Sequence, residues 1–319
     1  MKKYLISPNK NQYKANMHSH TTCSDGRMTP EQHKEEYKKR GYSVYAFSDH
    51  DTVINHDDLR DENFLPLTSA EIAVGVKATG HFNHIISFHF NIISRDSVNF
   101  EQINKEWFTF STDNIKKLVN DIKKQNYFVT ANHPNWTLFT EEQYAELDCF
   151  DGFELYNCIT ANFGGALSFT HEIYLHMLRK GIRILPIGAD DCHSHRLPLS
   201  HPLNDSFGGF TYILADRLEY DDIINALDNG DCYCSSGPQI KEVSIDGDTV
   251  NIKTTDAQRI TILSESRKTY SLPAKKGQSV NEFTCEIDKE LTGKFILIHV
   301  EDNSGNHAMT RAFYKGEDY

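Results

Sequence analysis

The chain has 319 residues, of which 39% are hydrophobic and 24% charged, a composition that excludes disordered, collagen-like and low-complexity classes. Lys and Arg total 33 against 45 Asp and Glu, so the net charge of −12 argues against a long nucleic-acid track or an anionic membrane face. No apolar run approaches the roughly 18 residues needed to cross a bilayer.

At about 150 residues per domain, the length allows two domains. Strand-like runs are predicted at 13–17, 44–48, 66–73, 84–93, 127–131, 152–156, 182–187 and 210–214. Helical segments fall between most of them. The first opens on Thr29 as cap and Pro30 at the first helical position, and stops at Gly41. Others are predicted over about 112–125, 166–180 and 219–229. Repeated strand–helix units predict a mainly parallel sheet, open or closed into a barrel. After Gly237-Pro238 the texture becomes short alternating runs separated by turns such as Asp246-Gly247-Asp248. That predicts a small antiparallel β-sandwich with no convincing helix. The expected division is therefore 1–237 and 238–319.

The seven cysteines are scattered, with no Cys-x-x-Cys pair, and read as free thiols. The first ten residues lack an apolar run of the signal-peptide kind, so a cytoplasmic location is expected.

Acidic residues and histidines fall at the ends of the predicted strands. His18 and His20 follow the first, Asp49 and His50 the second, and Glu71 closes the third. His133 follows 127–131, and Asp191 and His193 follow 182–187. His84 precedes its apolar run and joins the same face if that register is reversed. In an α/β barrel the residues just after the strands converge on one face. His18-x-His20 and Asp191-x-His193 each set two ligand types on one side of an extended chain, with Cys192 pointing away. Imidazoles with carboxylates and no required thiolate suit Mn, Zn or Fe. So many donors exceed the positions of one ion. Two or three divalent ions are expected, with Glu71 as the natural bridge.

His18-Ser19-His20-Thr21, Ser24-Asp25-Gly26 and Ser48-Asp49-His50-Asp51-Thr52 resemble the opening of the polymerase and histidinol phosphatase (PHP) superfamily. Glu71, His84 in His-Ile-Ile, His133 in Asn-His-Pro and Asp191-Cys192-His193 follow in family order. The resemblance covers roughly residues 10–237. It implies a distorted, TIM-like barrel of seven strand–helix units, and the β domain after Pro238 is similar to the two-domain branch of predicted phosphoesterases. It assigns His18, His20, Glu71 and Asp191 to one ion, Asp25, His50 and His193 to a second, and Glu71, His84 and His133 to a third. Asp25 stands where some members carry histidine.

The chemistry expected of such a centre is phosphoester hydrolysis, with a metal-bridging hydroxide attacking phosphorus in line. His195 is a candidate general acid and Arg196 a candidate phosphate clamp, both on the loop after Asp191-x-His193. Asp49 and Asp51 are expected to hold the loop and orient His50. Asn135 and Trp136 would line the cleft, and Glu154 and Asn157 are further candidates near a strand end. The expected substrate is a small phosphorylated metabolite or nucleotide. The alternatives are a non-phosphate ester, the end of a short oligonucleotide, or an inert barrel kept for binding.

Overall fold

The computed structural model describes residues 2–77, 85–103, 111–137, 139–163, 169–194 and 197–319. The chain forms a mixed α/β fold of three sheets, with eight α-helices among the described residues. The largest sheet orders its main path as 270–273, 259–264, 295–301, 307–310, 232–235, 210–215, 11–16, 42–46 and 65–67. A second sheet runs 69–77, 85–94, 127–131, 152–157 and 185–189. The third joins strand Lys3–Ile6 to 240–246, 249–257 and 280–286.

Two expectations are corrected. The ladders close no barrel among the described residues, because the predicted strand 66–73 divides at Thr68 between two sheets. Isolated hydrogen bonds rather than a ladder bridge that break, among them the Ser94 amide donating to the Thr68 carbonyl at 2.8 Å. The sheets are also less parallel than predicted. Strands 11–16, 42–46 and 65–67 pair in parallel, as do 127–131, 152–157 and 185–189, and the remaining ladders are antiparallel. Ser69–Lys77 and Ile85–Ser94 are joined by residues 78–84, too short a connection for a crossover helix, so they pair antiparallel.

The helices follow their local chemistry. Thr29 accepts from the Gln32 amide, and the Gln32 side chain returns to the Thr29 amide, a complete capping box before helix Pro30–Lys38. Helix Thr112–Lys123 buries Ile115, Val119 and Ile122 against the second sheet. Short helices Pro134–Thr137, Glu141–Glu146 and Cys158–Phe163 were not foreseen, nor was Lys289–Thr292 in the C-terminal part. Each offers too few residues to show a helical period.

Beyond Pro238 the strands form two antiparallel layers. Val243, Ile245, Val250 and Ile252 of one pack with Ile260, Ile262, Ile296 and Ile298 of the other. The layer of 259–264 and 295–301 is continuous with the sheet that carries strands 11–16 and 42–46.

Candidate metal centre

The site lies where the two larger sheets meet. The segments after the strands hydrogen-bond in a row. The Asp191 amide donates to the His18 carbonyl at 3.0 Å, and the His20 amide to the Cys192 carbonyl at 2.9 Å. Ser48 N donates to Ser19 O and Glu71 N to Ser48 O, both at 3.0 Å. This stitching sets residues 191–193, 18–20, 48–50 and 71 side by side, although no ladder joins the sheets there. Gly26 allows the Ser-Asp-Gly turn to fold back, since a Cβ on it would lie 2.0 Å from the His20 carbonyl oxygen.

Three sets of donors converge: His18, His20 and Asp191; His20, Asp25, His50 and His193; and Glu71, His89 and His133. Glu71 touches all three. Its Oε1 lies 3.3 Å from His18 Nε2, 3.0 Å from His89 Nδ1 and 3.1 Å from His133 Nε2. Its Oε2 lies 3.4 Å from His20 Nε2 and 3.1 Å from His50 Nδ1. Asp191 Oδ1 sits 3.3 Å from His18 Nε2 and 3.2 Å from His20 Nε2. Asp25 Oδ1 lies 3.7 Å from His20 Nδ1 and His50 Nε2, and 3.5 Å from His193 Nε2.

Burial grades across the centre. His18, His20 and Glu71 are closed off from solvent, whereas the Asp25 side chain is 56% exposed. The second donor set is therefore the open side. Two centre residues hold uncommon backbone conformations, His133 at φ 26° and Asp191 at φ 55°. Strain of this kind persists where surrounding contacts over-determine it.

Partners behind the donors fix their orientation. Glu154 Oε1 lies 2.7 Å from His18 Nδ1, and Glu154 Oε2 accepts the His133 amide at 2.6 Å. Asn157 Nδ2 donates to Glu154 and to Asp191 Oδ2. Asn132 Nδ2 donates to Glu71 Oε1 at 2.8 Å. Carboxylate–imidazole pairs of this type select the tautomer that turns the other ring nitrogen inward.

The electrostatics ask for cations. Burial pushes the His18 and His20 imidazoles toward neutrality, yet their carboxylate neighbours win. His18 is raised well above its ordinary value by Asp191, Glu71 and Glu154, and His20 is raised to about 9 by Asp191 and Glu71. Glu71 is buried, which opposes ionisation, but His89, His18 and His133 hold it well below the carboxylate range. Burial lowers His50 and His193. His18 Nε2 and His20 Nε2 face one another at 3.1 Å with carboxylate oxygens just beyond. Converging lone pairs and buried carboxylates are costly unless a positive charge lies between them. Protons or divalent ions fill that role, and the imidazole–carboxylate donor set fits Mn, Zn or Fe.

The structure brings together His18, His20, Asp25, His50, Glu71, His133, Asp191 and His193. His84 lies outside the described residues, and the position beside Glu71 and His133 is taken by His89. The register accounts for the place of His89. Glu71 pairs with Asn91 and Ala73 with His89, so alternate residues Ser87, His89 and Asn91 share the Glu71 side. His89 stands within the antiparallel strand 85–94. In sequence, His89 stands between Phe88 and Phe90 and reads as core; strand alternation was the available signal.

His195 and Arg196 also lie outside the described residues. Asp49 holds the 21–24 loop. It accepts from the Thr21 amide and hydroxyl, each at 2.8 Å, and from the Ser24 hydroxyl at 2.6 Å. Asp51 accepts from the Ala73 amide. Trp136 is 53% exposed, and its ring lies 4.9 Å from His133 and 5.0 Å from His89. It walls one side of the centre. Cys192 turns away, as expected, and is buried within 3.1 Å of the Tyr37 hydroxyl.

No family model matches the chain, and no curated protein matches it. Solved structures do. A two-domain protein containing a predicted PHP-like metal-dependent phosphoesterase, from Bacteroides vulgatus, is 18% identical with a TM-score of 0.49, covering 98% of both chains. A putative metal-dependent phosphoesterase from Bifidobacterium adolescentis is 18% identical with a TM-score of 0.43, covering 60% of this chain and 91% of its own. An amidohydrolase from Chromobacterium violaceum, solved with sulfate and no metal, is 14% identical with a TM-score of 0.42, covering 60% of this chain and 93% of its own. Two of the three are described as phosphoesterases. With TM-scores below 0.5, the functional reading rests on the side chains.

Proposed function

We propose that the chain is a metal-dependent hydrolase of small phosphoesters. The observation that carries this reading is Glu71, a buried carboxylate within 3.4 Å of five imidazoles, at the junction of three donor sets. Divalent ions held there would acidify a water and neutralise phosphoryl oxygens.

His18, His20, Glu71 and Asp191 would hold one ion, Asp25, His50 and His193 a second, and Glu71, His89 and His133 a third. Glu154 orients His18 through its Nδ1 and fixes the turn at His133. The substrate enters on the exposed Asp25 side, with the Trp136 face beside the third donor set. His195 and Arg196 supply the general acid and the phosphate clamp in this reading. Arg196→Ala would then raise KM more than it changes metal content. The net charge of −12 favours a small phosphorylated metabolite or nucleotide over long nucleic acid.

The test is elemental analysis of the purified chain, read alongside a paired panel of phosphomonoester, phosphodiester and carboxylic ester with added Mn. Two or three ions per chain with phosphoester turnover support the reading. Bound metal with carboxylic ester turnover alone replaces phosphorus by carbon as the target. A chain that takes up no metal overturns it.

A further inference from the structure

We propose a second cation site, formed by Cys23, Asp49 and His56, that takes a thiophilic divalent ion such as zinc. It goes beyond the reading above, because none of its three residues belongs to the centre and its donor set is different. One ligand atom from each lies within 4.8 Å of the others.

Each donor has capacity left. Asp49 is buried and held rigidly by Thr21 and Ser24. Its Oδ2 accepts only the Thr21 hydroxyl among the described residues, which leaves one lone pair. His56 Nε2 is shielded from solvent and has no hydrogen-bond partner among the described residues. A buried ring nitrogen without a partner is costly, so its position asks for an explanation. The Phe47 ring, 4.7 Å away, holds the imidazole in place. Cys23 is exposed, and its amide donates to the Thr21 hydroxyl at 3.0 Å, tying it to the same network as Asp49.

Thiolate, carboxylate and imidazole together form a borderline-soft set suited to zinc rather than to magnesium or calcium. Three protein ligands with an exposed thiol leave a fourth position open to solvent. The site also shares both loops with the main centre. Cys23 is two residues from Asp25, and Asp49 precedes His50. An ion here joins those loops directly, and so acts on the exposed donor set of the main centre by fixing its backbone.

Cobalt(II) is the probe, because thiolate ligation gives it a near-ultraviolet charge-transfer band that imidazole and carboxylate donors do not. The full chain is titrated with Co(II), which also enters the main centre, so the thiolate band and not the total cobalt reports this site. The expected result is a thiolate band that saturates, is absent in Cys23→Ser, and needs at least roughly tenfold more cobalt in His56→Asn. Cys23→Ser keeps its full Mn content in the main centre, which separates loss of this site from loss of the centre or of the fold. The proposal is overturned by a wild-type chain with no thiolate band, by a band that survives Cys23→Ser, or by one that His56→Asn leaves unchanged. A main centre that binds no Mn would undo the hydrolase reading without touching this one.

Discussion

Glu71 meets imidazoles from four separate segments: His18 and His20, His50, His89 and His133. Such a carboxylate acts on every donor set at once. Glu71→Gln keeps its shape and removes its charge, and should lower total metal content more than any single histidine replacement, as elemental analysis would show. His89→Ala should lose one ion while His84→Ala keeps the full complement; equal losses would return the ligand role to His84. Glu154→Gln removes the charge behind His18 and should weaken metal binding by about 10–100-fold, read by competition with a chelator. The proton balance has a definite sign. His18 is raised well above its ordinary value and His20 to about 9 by their carboxylate neighbours, so protons compete with metal for these rings at neutral pH. Metal binding to these rings would release protons, and affinity should climb as pH rises toward about 9. Calorimetry at pH 7 in buffers of different ionisation enthalpy should report proton release, and heats independent of buffer would contradict it. Most of the centre was legible at this scale, because His-x-His and Asp-x-His betray themselves by period-two spacing at strand ends. His89 was hidden by its phenylalanine neighbours, whereas Glu154 was legible as a candidate at a strand end but not as the partner behind His18.

The element scale separates what local chemistry encodes from what pairing decides. Helix Pro30–Lys38 was readable from Thr29, Pro30 and Gly41, and the structure adds the reciprocal Gln32 bond. Thr29→Ala should cost about 1 kcal/mol, seen as a lower denaturation midpoint at unchanged slope. The division of 66–73 at Thr68 was not readable, because Leu-Pro-Leu and Ser-Ala-Glu-Ile look like one apolar run. Only the partners differ: Leu65–Leu67 pairs with 42–46, and Ser69–Lys77 with 85–94. Strand Lys3–Ile6 was equally opaque, since four residues carry almost no period and its partner is 240–246.

Across the whole molecule, the largest sheet passes through the expected boundary at Pro238 without interruption, from 210–215 through 232–235 to 307–310. Phe295, Leu297 and Met309 join the same apolar cluster as Phe88, Phe153 and Tyr174. Shared core of this kind couples the two parts, so heating the metal-free chain should give one unfolding transition by both calorimetry and tyrosine fluorescence. Two resolved transitions would show parts that melt independently. The pairings also impose an order on biosynthesis. Strand 11–16, which leads into His18 and His20, is hydrogen-bonded on one side to 42–46 and on the other to 210–215, and Lys3 is registered against Ile245. A chain leaving the ribosome carries its first two histidines long before those partners exist. Slow closure of such distant contacts would leave the nascent histidines without their partners, so that metal loading of the proposed centre would follow translation rather than guide it.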